Sequence, residues 1–316
     1  MPPSPAAVSA GPFAAVLAVQ LVLVAAAALA GGGSLSLLTL GHRPMQVLLS
    51  LTGGVLLGVG LLHLLPHAAA ALDGDLDSTM GWVLAGFFGM FVLERAFHPH
   101  AHHAADTAVE AGHGACGHAS HQGHDHGHAH DHGRPRAGRN GGGRWAWGGA
   151  FAGLAVHGLA DGAALAASTL ADCQHGAGWL AGSGTFLAVL LHKPFDAAII
   201  AALLLEAGAG RAPRRLANLC YSLVVPLGGL AFLVGLRLSG APAGPVIGIA
   251  MAVAAGAFVC IAAADLLPEV QFHSHDRVLL TTSLALGLAI AWGVGLLERA
   301  AHDHARPAAA AGTSER

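Results

Sequence analysis

Eight long apolar runs, separated by polar stretches, make up most of this chain. A helix needs about 20 mainly apolar residues to cross a bilayer. The runs that are long enough lie at 13–38, 47–72, 79–97, 147–170, 180–206, 216–238, 244–268 and 278–298. They predict an all-α integral membrane protein with eight transmembrane helices, which we number as spans 1 to 8. The composition agrees, since 10% of the 316 residues are charged, against about 25% in a soluble domain.

The arginines are distributed unevenly between the two ends of these spans. The odd-numbered loops hold Arg43, Arg95, Arg134, Arg136, Arg139, Arg144, Arg211, Arg214, Arg215 and Arg277, whereas the other loops and the tails hold Arg237, Arg299, Arg306 and Arg316. Cytoplasmic loops carry the excess of positive charge in membrane proteins. We therefore expect a plasma (inner) membrane protein whose termini are both extracytoplasmic. Its parts are spans 1–3 (1–97), a cytoplasmic loop (98–146), spans 4–8 (147–300) and a short outer tail (301–316).

Two pairs of spans end in similar sequences. Span 2 ends in His-Leu-Leu-Pro-His (63–67) and span 7 in Asp-Leu-Leu-Pro-Glu (265–269). In the same way, Leu-Glu-Arg-Ala begins at Leu93 in span 3 and at Leu297 in span 8. Spans 2 and 7 cross in opposite directions, so spans 1–3 and 6–8 form inverted repeats around spans 4 and 5, a 3+2+3 arrangement. Inverted repeats around a midplane site are typical of transporters.

Spans 4 and 5 each carry a histidine and an aspartate four residues apart, His157 with Asp161 and His192 with Asp196. Residues at i and i+4 share one face of a helix. Ionisable groups inside a membrane segment are costly and mark ion or substrate paths. The four side chains are therefore candidate ligands of a transported metal cation, although an internal hydrogen-bonded His–Asp pair would also explain each motif.

Lys193 is the only lysine in the chain and lies inside the second motif. We expect its ammonium to pair with Asp161 or Asp196 and to take the place of a second cation. The site would then hold one metal ion rather than two. The alternative is a lysine that extends to the membrane interface while its stem stays in apolar surroundings.

Further candidate ligands stand at the ends of spans 2 and 7 and in the loop after span 7: His63, His67, Asp265, Glu269, His273 and His275. They lie where an ion would enter or leave, although solvation of helix ends explains them equally well. Glu94 and Glu298, each followed by an arginine, fit better as interfacial anchors than as ligands.

The loop between spans 3 and 4 is rich in histidine, with twelve between His98 and His132. Its densest part holds His121, His124, His126, His128, His130 and His132. A Gly/Ala/His composition cannot form a packed core, so we expect the loop to be disordered. Neutral imidazoles bind zinc, copper, nickel and cobalt. The loop is therefore a candidate buffer or sensor of metal, with a plain polar linker as the alternative.

These features together resemble the ZIP (Zrt-, Irt-like) family of divalent metal transporters. The resemblance is carried by the eight spans, the histidine-rich loop and above all His157-Gly-Leu-Ala-Asp161 and His192-Lys-Pro-Phe-Asp196. It implies that these two histidines and two aspartates are the transport-site ligands, and that helices 1, 4, 5 and 6 move against the rest in an elevator-like manner. Lys193, where many members have an acidic residue, resembles one branch of the family.

The resemblance implies import of a divalent cation into the cytoplasm. Nitrogen and oxygen ligands suit zinc best, with iron, manganese, cobalt, nickel and cadmium as further candidates. The expected surroundings are a lipid bilayer, with no nucleic-acid partner and a homodimer as one candidate assembly. Three alternatives stay open: an intramembrane zinc-dependent hydrolase using the same side chains, a nickel/cobalt permease or metal exporter, and a metal sensor built around the loop.

Overall fold

The computed structural model describes residues 10–33, 42–97, 143–174, 176–272 and 276–305. Within these residues the regular elements are all helical, and eight helices are long and apolar enough to cross a membrane. The predicted all-α membrane architecture is therefore confirmed. The helices are α1 (Ala10–Gly33), α2 (His42–Val59, Gly60–Leu64 and Leu65–Ala71), α3 (Leu76–Phe97), α4 (Gly143–Gln174), α5 (Ser183–Glu206), α6 (Arg211–Ser222 and Val224–Ser239), α7 (Ala243–Phe272) and α8 (Arg277–Ala305).

The observed helix ends lie within a few residues of the predicted ones. The largest difference is in α8, which extends to Ala305 rather than 298, and the predicted end of span 1 at 38 lies outside the described residues. Helix α4 continues four residues past the predicted end at 170. That extension places Asp172, a buried carboxylate, on a helix rather than in a loop.

Two helices are irregular, and a proline follows each irregularity. In α2 the segment Gly60–Leu64 is a π-helical turn, in which the Leu65 N–H bonds to the carbonyl of Gly60. Pro66 comes directly afterwards and has no N–H to continue the regular pattern. Helix α6 is interrupted at Leu223, three residues before Pro226. Both irregularities lie beside clusters of polar side chains, which is where π turns are often found.

Five helix pairs make the most extensive contacts: α2 with α7, α2 with α8, α3 with α7, α4 with α6 and α1 with α5. Exchanging α1 with α6, α2 with α7, α3 with α8 and α4 with α5 leaves this pattern of pairs unchanged. This is the pattern expected if two related repeats build the bundle. The symmetry extends to α4 and α5 themselves, which exchange with each other.

Glycines permit two of these pairs to approach closely. A Cβ on Gly54 of α2 would clash with the carbonyl oxygen of Leu284 in α8. A Cβ on Gly256 of α7 would clash with the carbonyl oxygen of Val83 in α3. Small residues at such positions let backbones pack together in membrane proteins.

The pairs sort the helices into two groups, α1, α4, α5 and α6 in one and α2, α3, α7 and α8 in the other. The five most extensive contacts all lie within a group. Smaller contacts join the groups, mainly those of α4 with α7, α2 with α5 and α3 with α4. We call them the 1-4-5-6 group and the 2-3-7-8 group.

Candidate metal centre

The four predicted ligands converge where α4 and α5 face each other. Asp161 lies near the middle of the apolar segment Trp147–Gln174. Its Oδ2 is 3.3 Å from His157 Nε2 on the same helix and 3.2 Å from His192 Nε2 on α5. The two imidazole ring centroids are 5.4 Å apart. Helical spacing therefore brings each pair together, and helix packing brings the two pairs to one place.

Lys193 lies between the two carboxylates of this site. Its Nζ is 2.6 Å from Asp161 Oδ2 and 2.7 Å from Asp196 Oδ2, and its side chain is completely buried. It contacts both predicted partners rather than one, and it does not extend to an interface. A buried ammonium needs such partners, because an unpaired charge inside a protein costs several kcal/mol.

Tyr221 of α6 completes the set of side chains around the ammonium. Its hydroxyl donates to Asp196 Oδ2 at 3.0 Å and accepts from Lys193 Nζ at 3.3 Å. This residue, the only tyrosine in the chain, is absent from the predicted site. The signal in the sequence was Pro226, which follows Tyr221 within about one and a half helical turns. A proline predicts a break in a membrane helix, and such breaks often lie beside a binding site.

The protonation of His192 follows from its hydrogen bonds. Its Nδ1 is 2.8 Å from the carbonyl oxygen of Ala188, and a carbonyl only accepts, so Nδ1 carries the proton. In the neutral ring, Nε2 then presents a lone pair to Asp161 Oδ2. Two acceptors that face each other require a cation, either a proton or a metal ion.

The remaining donor atoms suit a metal ion. One atom each from His157, His192 and Asp196 lie within 4.8 Å of one another. The contacts of Asp161 and Asp196 with their protein neighbours run through Oδ2. Carboxylate oxygens and imidazole nitrogens together are a donor set that suits a transition-metal ion.

Comparison with known proteins identifies the family of the chain. The family model described as "ZIP Zinc transporter" matches residues 13–298. The chain belongs to the ZIP zinc transporter family. A search of the curated proteins finds no match. The resemblance carried by the two His/Asp motifs is confirmed at the level of the family, whose members transport divalent metals across membranes.

The accessory residues of this ZIP protein divide into two sets. The side chains of the first set lie outside the described residues: Asp265, Glu269, His273, His275 and the loop histidines, including His121, His124, His126, His128, His130 and His132. The second set, His63 and His67, lies together at one end of the bundle. Asp172 and Glu298, neither of which was predicted to be a ligand, lie beside them.

The interpretation of Glu298 as an interfacial anchor is wrong. Its side chain is 1% exposed, and Oε1 accepts hydrogen bonds from the Ser183 hydroxyl and the Gly184 N–H. The apolar periodicity of span 8 locates its end but does not show which neighbouring helices cover it. Here the start of α5 and the π turn of α2 do so.

Proposed function

We propose that this ZIP protein imports a divalent transition-metal cation, zinc above all, through the site between α4 and α5. The observation that supports the proposal is the convergence of two imidazoles and two carboxylates near the middle of the apolar segments. Such groups are costly in a bilayer unless they serve an ion. Mixed nitrogen and oxygen donors suit zinc, and also admit iron, manganese, cobalt, nickel and cadmium.

The proposed site binds one ion at a time. Lys193 already places a positive charge 2.6 and 2.7 Å from the two carboxylates. A second divalent ion at that place would be repelled by the ammonium and would lack free carboxylate oxygens. The ion that does bind exchanges its water shell for His157, Asp161, His192 and Asp196.

The direction of transport follows from the proposed orientation, in which arginine-rich loops face the cytoplasm. An incoming ion would leave the site toward Asp265 and Glu269 of α7. His273, His275 and the histidine-rich loop would receive it on that side. A homodimer in the plasma membrane is the assembly we propose.

The test is radioactive zinc uptake by cells that express the protein. We expect expression to raise the rate of zinc gain, and His157→Ala and Asp196→Ala to return it to that of cells without the protein. Asp77→Asn, which changes an exposed carboxylate in the first turn of α3, is the matched control and should transport normally.

Two results would contradict the proposal. Unchanged uptake by both site variants, at equal amounts of protein in the membrane, would show that the α4–α5 site does not carry the ion. Loss of metal from expressing cells would show an exporter. Competition by the other divalent metals, measured in the same cells, ranks the candidate ions.

A further inference from the structure

A second group of imidazoles and carboxylates lies where α2, α4 and α8 end and α5 begins. It consists of His63 and His67 of α2, Asp172 of α4 and Glu298 of α8. Asp172 is eleven residues beyond Asp161 on one continuous helix, which corresponds to about 16 Å. The group, here called the outer cluster, is therefore separate from the α4–α5 site.

Contacts with acceptor oxygens orient both imidazoles of the outer cluster in the same way. His67 Nδ1 is 2.7 Å from the carbonyl oxygen of His63 and must donate to it. His63 Nδ1 is 2.8 Å from Glu298 Oε2, and because a carboxylate oxygen only accepts, this contact favours the proton of the neutral ring on Nδ1. With the proton on Nδ1, the Nε2 atom of each neutral ring carries a lone pair.

Both Nε2 atoms point toward Asp172. The Nε2 of His67 is 3.4 Å from Oδ1, and the Nε2 of His63 is 3.7 Å from Oδ2. Among the described residues His63 Nε2 has no hydrogen-bond partner, although its side chain is 4% exposed. A buried acceptor without a donor is unfavourable. Here that nitrogen and the Nε2 of His67 face a carboxylate, and one cation would satisfy all three groups.

The groups around the outer cluster support its ligands as those of metal sites do. The Gly182 N–H donates to Asp172 Oδ2 at 2.8 Å. Glu298 Oε1 accepts from the Ser183 hydroxyl at 2.6 Å and from the Gly184 N–H at 3.1 Å. A carboxylate held in this way, close to the Nδ1 of a histidine, orients that imidazole for coordination through Nε2.

We propose that His63, His67 and Asp172 form a second binding site for a divalent transition-metal ion, in which Glu298 is the positioning residue for His63. The three donor atoms lie within 4.8 Å of one another. Ligands of a tetrahedral zinc ion stand about 3.3 Å apart, given metal–nitrogen distances of about 2.0 Å. Small side-chain rotations would close that difference.

The site has room for exchange of its ion. His67 is 25% exposed whereas Asp172 is 1% exposed, so the cluster is open on the His67 side. Three protein ligands leave a fourth position for water, as in zinc sites that exchange ligands. That an incoming ion binds first at this second site rests on the proposed function. The binding of a metal ion at the site does not depend on that function.

The experiment is a titration of the full-length protein in detergent with Co²⁺, whose visible absorption reports coordination by nitrogen and oxygen. The twelve histidines from His98 to His132 are replaced by glutamine, so that the loop does not contribute. We expect Asp172→Asn and His67→Ala each to lose one tightly bound Co²⁺ relative to this parent. The double variant His157→Ala/His192→Ala should lose a different one, and Asp77→Asn should lose none.

The outcomes separate the two sites. If Asp172→Asn and His67→Ala both bind as many Co²⁺ ions as the parent, the second site is wrong. If they lose an ion while His157→Ala/His192→Ala loses none, the second site stands and the α4–α5 assignment fails. An ion retained at the α4–α5 site shows that an outer-cluster variant is folded.

Glu298→Gln tests the positioning role. Its side-chain carbonyl still accepts from His63 Nδ1 but lacks the charge, so Co²⁺ should bind the second site at least about tenfold more weakly. The absorption band of the bound ion should be retained. Unchanged affinity would contradict the role of Glu298, and complete loss of the band would make Glu298 a ligand itself.

Discussion

The α4–α5 site and the outer cluster use the same side-chain types and differ in one charge. Each sets two imidazoles against two carboxylates. In the α4–α5 site an ammonium lies between the carboxylates, whereas backbone N–H groups and a serine hydroxyl serve the outer cluster. With neutral imidazoles, two carboxylates and one ammonium leave one net negative charge, and two carboxylates alone leave two. In the proposed function, the ion at the α4–α5 site must depart as well as bind, and the ammonium would weaken its attraction to the ligands.

The largest effect should come from reversing that charge. In Lys193→Glu the ammonium is replaced by a carboxylate, so the α4–α5 site gains ligands where it held a cation. We expect one additional divalent ion per chain, counted by equilibrium dialysis with zinc. An unchanged count would mean that Lys193 does not stand in for a metal ion.

Lys193→Met is the matched control, since it removes the ammonium and adds no ligand. It should bind no additional ion. Without metal, two buried carboxylates lose their partner, so the free energy of unfolding should fall by about 3 kcal/mol. Excess zinc should restore thermal stability in detergent. A stable metal-free variant would show that the two contacts of Lys193 contribute little.

A smaller effect, confined to the α4–α5 site, is expected from Tyr221→Phe. The variant removes the hydroxyl that donates to Asp196 Oδ2. A lost partner of a ligand lowers metal affinity by roughly 10-fold or more, so KM for zinc uptake should rise by about that factor. Binding of Co²⁺ to the outer cluster should not change, and a change there would show that the two sites are coupled.

The smallest effect is expected from Ser183→Ala, which acts on the outer cluster alone. Glu298 loses the hydroxyl bond at 2.6 Å but keeps the Gly184 N–H. A hydrogen bond of this kind contributes about 1 kcal/mol, so Co²⁺ affinity of the outer cluster should fall by a few-fold. If Ser183→Ala raised KM for zinc uptake as much as Tyr221→Phe, the two sites would not be separate.

The α4–α5 site could be assembled from the sequence because its geometry is local. His157 with Asp161 and His192 with Asp196 are each one helical turn apart, and both spans are apolar enough to make four ionisable groups conspicuous. The packing of α4 against α5 and the contact of Tyr221 from α6 had to be supplied by the structure. Lys193 lies on the same helical turn of α5 as His192 and Asp196, so its contact with Asp196 is also local.

The outer cluster could not be assembled in this way. His63 and Glu298 are separated by most of the chain, and their contact depends on how α2 packs against α8. Asp172 fell beyond the predicted end of span 4, because the hydropathy pattern weakens there. The π turn that carries His63 also shifts side chains off the regular helical phase, so a helical projection of α2 misplaces it.

The division of the bundle into two groups has a consequence for the outer cluster. His63 and His67 belong to the 2-3-7-8 group and Asp172 to the 1-4-5-6 group, whereas every side chain of the α4–α5 site belongs to the 1-4-5-6 group. An ion in the outer cluster would crosslink the 1-4-5-6 group to the 2-3-7-8 group. An ion in the α4–α5 site would be bound by the 1-4-5-6 group alone. A ligand that binds one arrangement better also favours that arrangement. The metal concentration at this end of the bundle would then set how long the two groups stay crosslinked.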